Sequence, residues 1–235
     1  MPHHKHRRAL RNFDNSVCDC IESFLCSSFT DTVLSFAGLS TKMGDLGLRN
    51  LKLHSSAAFL SSQAAIHDLC IELDPSHNWD PNERSTDSYL ALNDYNTKVN
   101  PTKKLQMNGD THPRQQALSH DIDSHPLEII KEGYSNNIHF QAHLNLTTTG
   151  DAGSWLHAVP SKALGTHVDP ILYKTMIQRW LKIPLYDSEF NCPLCDDIVD
   201  RHGDHCLTCS CEGDRTKRHN LLHNEVLSRT TNLHI

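Results

Sequence analysis

Aromatic and other apolar residues are scarce in this chain: Phe, Trp and Tyr make up 6% of its 235 residues, and hydrophobic residues together 37%. So little apolar material excludes one large compact core, and we expect a modest core joined by long polar connections. The sequence also lacks a run of ~20 apolar residues, which a membrane-spanning helix requires. No apolar stretch follows the basic N-terminus, as it would in a secretory signal. We therefore expect an intracellular protein, nuclear or cytoplasmic, that has no contact with membranes.

Positive charge is in short supply as well, because 22 Lys and Arg residues face 28 Asp and Glu residues, a net charge of −6. This balance excludes the overall basic field that drives sequence-independent phosphate binding, so contact with RNA or DNA would have to be local. One local basic cluster consists of Arg215, Lys217, Arg218 and His219. It is suited to phosphate contacts. Because Glu212 and Asp214 offset its charge, an ordinary helix start explains the cluster equally well.

Familiar catalytic motifs are also missing. The chain has no nucleophile elbow, no phosphate-binding glycine loop and no paired acidic motif. We therefore expect no catalytic residues, no small-molecule substrate and no enzymatic activity.

What the sequence does contain is apolar residues at helical spacing, within 14–28, 50–72 and 114–133. A further helix is predicted to begin at Asp169-Pro170, since Asp is a favoured N-cap and Pro is tolerated at the first helical position. In the second of these helices one face is predicted to consist of Leu51, His54, Ala58, Ala65, Ile66 and Leu69. The fold class is therefore mainly α, with loosely packed helices, a long polar connection and a small zinc-held knuckle near the C-terminus.

These patterns divide the chain into six regions. They are a basic, disordered N-terminus (1–13), a helical region (14–73), a polar linker (74–113), a second helical region (114–186), a zinc knuckle (187–211), and a basic helix start with a C-terminal helix (212–235). The linker is rich in Asp, Asn, Pro and Ser, and we expect at most one short element in it, around Tyr89 to Tyr95.

Cysteine carries the strongest pattern, because five of the nine cysteines lie within positions 192–211. Such clustering in an intracellular chain favours metal ligation over disulfides. Cys192 and Cys195 are separated by two residues and can grip one ion from a tight turn, and His205 with Cys209 can complete a tetrahedron. We expect Zn²⁺ at this site. All four positions would be filled by the protein, so the site would be structural, and without metal the segment would be disordered unless the rest of the chain holds it.

A second register is also open. Cys206, Cys209, His219 and His223 are spaced like a zinc finger whose nine-residue loop is shorter than the usual loop of about twelve residues. Both registers use Cys209, so they cannot be filled together, and the spacing favours the first. In that case Cys206 and Cys211 would be free thiols.

The string CPLCDDIVDRHGDHCLTCSCEGDRTKRHNLL (192–222) resembles the region downstream of reverse transcriptase in non-LTR retroelement proteins of animals. The matching residues are Cys192, Cys195, Asp200, Gly203, Asp204, His205, Leu207, Cys209, Arg218, His219 and Asn220. This resemblance favours the first register and implies that His205, rather than His202, is the ligand.

Two further segments, in the same order, are similar to that family. AGSWLHAVPSKALGTHVDPILYKTMIQRWLKIPLY (152–186) is similar to its AGAWL-x-ALPS block, which leads into the zinc motif. LSTKMGDLGLRN (39–50) resembles its LPLRLGGLGLRS segment in the thumb-like helical region after the polymerase core. Ser40 replaces a Pro of that segment, and Asp45 replaces one Gly of its Gly-Gly pair. Three blocks in one order imply the post-polymerase region of such a protein.

The resemblance does not imply polymerase or nuclease activity here. Reverse transcriptases bind two metal ions through aspartates, one pair of which is written Y/F-x-D-D. The Asp196-Asp197 pair follows Leu194-Cys195 and lies inside the zinc loop, so we interpret it as a solvated turn. A nuclease domain can follow the RHN motif in related elements. Only fifteen residues follow Asn220, and we expect that domain to be absent.

We therefore expect a fragment or degenerate descendant of a retroelement reverse transcriptase protein, which retains a structural zinc knuckle and local contact with RNA or DNA. The alternative is a zinc-scaffolded module that binds protein and has no role with nucleic acid. Binding through phosphate contacts weakens steeply as salt rises, so salt dependence would distinguish the two.

Overall fold

A computed structural model describes residues 3–77, 80, 82–84, 86–107, 112–211 and 214–231. This described part is mainly helical, with nine α-helices and one two-stranded hairpin, and the predicted fold class is confirmed. No helix within it is long and apolar enough to cross a membrane. The chain divides into two compact units, Met1–Asp169 and Pro170–Ile235.

The first unit is built from six helices. They are α1 (His3–Leu25), α2 (Asp31–Ala37), α3 (Leu51–Leu73), α4 (Asp87–Asn96), α5 (Gln115–Gly133) and α6 (Ile138–Thr147). Short 3-10 turns lie at Thr41–Met43, Pro101–Lys103 and Ser154–His157. The predicted helices over 50–72 and 114–133 correspond to α3 and α5.

The core of the first unit lies where α3, α4 and α5 meet. Its buried residues are Ala57, Leu60, Ala64, Ala91, Leu92, Tyr95, Val99, Met107, Leu118 and Ile122. The predicted face of α3 was wrong in part, because Leu51 and Leu69 are exposed and Leu60 is fully buried. The apolar residues and alanines of α3 are distributed over all of its faces, so their periodicity alone does not identify which face is buried.

The disorder predicted for residues 1–13 is not found from His3 onward, where α1 begins, although this helix has a kink at His6, whose φ of −127° and ψ of 19° are not helical. Beyond Pro2 the segment contains no Gly or Pro that would interrupt a helix. The Lys5 ammonium also forms an ion pair of 2.6 Å with Asp87 at the start of α4. The carboxylate of Asp14 in α1 accepts hydrogen bonds from the backbone N–H groups of Leu51 and Lys52. It therefore caps α3 rather than its own helix.

The short element predicted around Tyr89 to Tyr95, within the polar linker 74–113, corresponds to α4. This helix begins after Thr86, whose hydroxyl accepts a hydrogen bond from the Tyr89 N–H, and it places Tyr95 in the core. The amide of Asn96 then pairs with both backbone groups of Leu105, at 2.7 and 2.9 Å, and orders the following loop. The stretch 74–113 is polar and contains prolines, yet a few apolar residues suffice to form an amphipathic helix of ten residues.

The segment 39–50 forms a tight turn that packs against the end of α6. Gly44 has a φ of +90°, and a Cβ there would lie 2.0 Å from the carbonyl oxygen of Thr147, so only glycine is accommodated. The next residue, Asp45, is fully buried, and one of its carboxylate oxygens accepts a hydrogen bond from the Leu46 N–H. Burial raises the pKa of Asp45 well above its ordinary value. A buried acid is therefore built into this turn.

The second unit consists of helix α7 (Pro170–Trp180), strands β1 (Phe190–Asn191) and β2 (Ile198–Val199), and helices α8 (Asp204–Thr208) and α9 (Asp214–Thr231). The strands pair antiparallel, with Phe190 opposite Val199. Helix α7 begins where predicted and ends at Trp180, and two residues later Lys182 takes a left-handed φ of +54°. Ile177, Leu181 and Ile183 are buried in this unit.

Candidate metal centre

The first two ligands come from the hairpin between β1 and β2. Cys192 follows β1, and its backbone N–H donates a 2.7 Å hydrogen bond to the carbonyl of Asp197 across the turn. Asp196 closes the turn with a left-handed φ of +60° and donates its N–H to the carbonyl of Cys192. The chain thus reverses within the Cys192–Cys195 segment, which brings both thiols to the same side of the hairpin end.

The third and fourth ligands are placed by the loop before α8. The carboxylate of Asp200 accepts hydrogen bonds from the N–H groups of His202 (2.8 Å) and His205 (3.0 Å). Gly203 takes a left-handed φ of +67° between them. Cys209 ends α8 and donates its N–H to the carbonyl of His205 at 2.8 Å. A single helical turn therefore presents His205 and Cys209 together.

These elements bring the four predicted ligands to one point. One ligand atom from each of Cys192, Cys195, His205 and Cys209 lies within 4.8 Å of all the others. The Cys195 Sγ lies 3.1 Å from the His205 Nε2 and 3.7 Å from the Cys209 Sγ. Tetrahedral zinc with Zn–S bonds of about 2.3 Å separates its sulfur ligands by about 3.8 Å. The cluster therefore has the dimensions of a four-coordinate metal site.

The apolar surroundings of the cluster are minimal. Cys192 and Cys209 are themselves buried and form a small core with Val199, against which Cys195 and Cys211 pack. Large apolar side chains nearby, such as Ile198 and Leu207, are more than half exposed. Hydrophobic burial at the knuckle is thus small, and the ligand residues occupy the place of a core.

Without a cation the thiols of the cluster compete with one another. The backbone N–H of Leu194 lowers the pKa of Cys192, and the side chains of His205 and Cys195 lower it further. Desolvation opposes this shift, and the pKa falls to about 7. The backbone N–H of Asp197 lowers the pKa of Cys195, but desolvation and the neighbouring thiols of Cys192 and Cys209 outweigh it and raise that pKa to about 12. One thiolate thus disfavours the next, and a bound cation would remove this conflict by displacing the protons.

The end of α7 is fastened to the loop that carries His205. Arg179 donates one hydrogen bond to the carbonyl of His202 (2.5 Å) and one to the carboxylate of Asp204 (2.8 Å), which also pairs with Lys182 at 2.9 Å. Burial opposes ionisation of Asp204, but Lys182 and Arg179 together hold its pKa below the ordinary value. These groups orient the ligand loop from behind, as outer-shell partners do in metal sites.

The other predicted site residues are not brought to the cluster. Among the described residues, these four form the one group of His, Cys, Asp or Glu with metal-site geometry, so the register through Cys206 and His223 is not assembled. Cys206 is exposed, and His219 stacks on His223 along α9 with ring centroids 6.2 Å apart. His202 also lies outside the group, and its carbonyl accepts from Arg179.

The proposed phosphate contacts lie on α9, whose backbone the structure describes from Asp214 to Thr231. Lys217 and His219 are exposed there, and the side chains of Arg215 and Arg218 lie outside the described residues.

The residues that sequence reasoning missed are those that position the ligands, namely Asp200, Arg179 and Lys182. Asp200 matched the family pattern, but no role for it was predicted. Arg179 and Lys182 have no signature in the sequence, because their partners lie more than twenty residues away.

The first unit contains a separate cavity of about 380 Å³ between α1, α2 and α3. Its walls are mostly apolar, and the buried acid Asp123 contributes to them. The carboxylate of Asp123 lies 3.1 Å from the His54 Nε2 and 3.5 Å from the Arg49 guanidinium. A structural pairing between helices accounts for this acid.

Comparison with protein-family models, curated proteins and solved structures finds no match to this chain. The resemblance to retroelement proteins therefore stays a prediction from the motif residues. The candidate metal centre rests independently on its geometry.

Proposed function

We propose that this chain is a fragment or degenerate descendant of a retroelement reverse transcriptase protein, whose zinc knuckle presents a short basic helix to RNA or DNA. The observation that carries the proposal is the convergence of Cys192, Cys195, His205 and Cys209 within 4.8 Å. Three thiolates and one imidazole form a donor set that suits zinc. Four protein ligands leave no coordination position for water, which supports a structural role rather than a catalytic one.

The nucleic-acid part of the proposal is supported by the charge and position of α9. This helix follows the knuckle directly and carries four basic residues against two acidic ones, in a chain that is acidic as a whole. Lys217 and His219 are exposed on it. A metal-held knuckle would thus fix the start of a locally basic helix, which is where backbone phosphates bind.

The metal centre is tested by native mass spectrometry of the full chain purified with zinc. We expect one zinc ion per chain in the wild type and in Cys206→Ser, which removes an exposed thiol outside the cluster. We expect none in Cys195→Ser. Equal zinc content in both variants would contradict the assigned ligand set.

Nucleic-acid contact is tested by the salt dependence of oligonucleotide binding, with single- and double-stranded probes. If Lys217 contacts a phosphate, Lys217→Gln should weaken binding for all sequences and reduce the slope against log salt by roughly one. Lys131→Gln, on α5 in the first unit, is the matched control. If neither variant changed the slope, Lys217 would not contact a phosphate, which would contradict α9 as the nucleic-acid interface.

A second candidate function is supported by the apolar residues of the same helix. Leu221 and Leu222 are 70% and 69% exposed, which is unusual for adjacent leucines and typical of a protein-binding helix. Under this alternative, a protein partner would stay bound at high salt and Leu221→Gln would release it, while Lys217→Gln would have no effect.

A further inference from the structure

A fifth cysteine lies against the metal cluster. Cys211 is partly buried and packs on the small core of Cys192, Val199 and Cys209. Its thiol interacts with those of Cys209 and Cys195 and with the charge of Cys192. Cys211 is therefore a direct neighbour of the ligand cluster. Cys206, which lies three residues before Cys209, is exposed instead.

The backbone explains why Cys211 returns to the cluster. Helix α8 ends at Cys209, which leaves the helical conformation with φ −53° and ψ 126°. The chain leaves the helix there, and two residues later Cys211 packs on the small core of the cluster. The Cys211 Sγ is not one of the four atoms that share the 4.8 Å cluster. It thus stands beside a complete set of ligands rather than within it.

We infer that Cys211 is a reserve ligand, which replaces His205 and converts the site to a Cys192, Cys195, Cys209 and Cys211 set for a thiophilic divalent cation. This inference rests on the proposed metal centre. Its basis is that Cys211 packs on the core of the cluster and interacts with the three cysteine ligands that would remain. Four thiolates are an established tetrahedral set for zinc, so the exchange preserves coordination number and geometry.

With a reserve thiol, the ion can be fully coordinated by either of two ligand sets. In the first state His205, fastened through Asp200, ties the ligand loop to the ion. In the second state the ion is held by thiolates alone, and the loop from Asp200 to His205 is released from it. The metal would then stay bound while the contact between α8 and the hairpin changes.

The test is a Co²⁺ titration of the full chain, because sulfur-to-cobalt charge-transfer absorbance per bound ion grows with the number of thiolate ligands. We expect His205→Ala to retain Co²⁺, with charge-transfer absorbance about four-thirds that of the wild type, the ratio of four thiolates to three. Cys211→Ser alone should change the affinity little. The double variant His205→Ala/Cys211→Ser should bind at least about 100-fold more weakly than His205→Ala, since even outer-shell changes cost 10–100-fold.

The matched control is His205→Ala/Cys206→Ser, which should behave like His205→Ala. The inference is overturned if the two double variants bind alike, if the absorbance of His205→Ala stays at or below the wild-type value, or if His205→Ala with metal fails to fold by circular dichroism. Failure of the proposed centre is distinguishable, because the wild type itself would then take up neither Co²⁺ nor Zn²⁺.

Discussion

The interiors of the two units of this chain differ in what stabilises them. In the first, ten buried residues from α3, α4, α5 and the loop after α4 form a continuous apolar core, with Leu60, Tyr95 and Ile122 fully buried. In the second, the knuckle has Val199 as the apolar centre, and its remaining core consists of ligand cysteines. The first unit is thus stabilised by hydrophobic burial, and we propose that the knuckle depends on an ion.

A chain with little apolar material can thus still order two regions. Hydrophobic burial is distributed, so losing one core side chain weakens the first unit without abolishing it. Metal ligation is concentrated, so losing one of the three cysteine ligands should remove most of the stabilisation at once. Substitutions in the two regions should therefore differ in size and in what they leave intact.

The largest effect is expected from Cys209→Ser, which breaks the knuckle and should leave the core alone. It removes one of the four proposed ligands, and zinc bound at a structural site of this kind contributes roughly 10–16 kcal/mol. Limited trypsin digestion should then cleave rapidly after Arg201, an exposed residue of the knuckle loop, but not within α3 or α5. Cys20→Ser, on the exposed side of α1, should digest like the wild type. Unchanged cleavage after Arg201 in Cys209→Ser would contradict the distinction.

The reciprocal change is Leu60→Ala in the core of the first unit. Truncating a fully buried leucine should lower the free energy of unfolding of that unit by about 2–5 kcal/mol. Urea denaturation followed by circular dichroism measures this loss, and zinc content should stay at the wild-type value. Leu73→Ala lies on the same helix at a residue that is 78% exposed, and it should cost less than about 0.5 kcal/mol. Loss of zinc in Leu60→Ala would show that the two regions are not independent.

A smaller effect is expected from Asp200→Ala, which tests how the His205 ligand is positioned. The change removes the acceptor for the His202 and His205 N–H groups. Outer-shell changes of this kind lower metal affinity by about 10–100-fold. Competition against a zinc-binding dye measures the affinity. Asp187→Ala, an exposed acid of the same unit, is the control, and equal affinities for the two variants would contradict the role of Asp200.

The smallest effect is expected in the first unit, from Asp45→Asn. Burial raises the pKa of Asp45, so the folded state holds its proton more tightly than the unfolded state does. Its stabilising contribution is therefore complete below pH ~4 and declines as pH rises toward the folded pKa. Asparagine does not titrate, so the variant should be more stable than the wild type by about 1 kcal/mol at pH 7.5. Urea denaturation at pH 4.5 and 7.5 should show the difference growing with pH, and a constant difference would contradict the raised pKa.

Sequence patterns predicted the ligands better than they predicted the packing. The spacing of Cys192, Cys195, His205 and Cys209 identified the four residues that converge, because a zinc knuckle is built from local turns whose geometry follows from spacing. The helices α3 and α5 were also predicted within a few residues, since their apolar residues recur over many turns.

Features that depend on distant partners could not be predicted. The order of residues 3–13 depends in part on the Lys5 contact with Asp87, 82 positions away, and the capping of α3 depends on Asp14 in α1. Residues around Tyr95 have a polar composition, and their place in the core becomes evident only when α3 and α5 are packed beside them. The Arg179 contact with the ligand loop is likewise tertiary, so no local pattern signals it.

The most direct test of the ion-held knuckle is hydrogen–deuterium exchange of the full zinc-loaded chain, measured by mass spectrometry before and after chelation. We predict that amides of residues 187–211 lose protection when the metal is removed, while those of α3 and α5 keep theirs. Equal protection of 187–211 with and without the chelator would contradict the account.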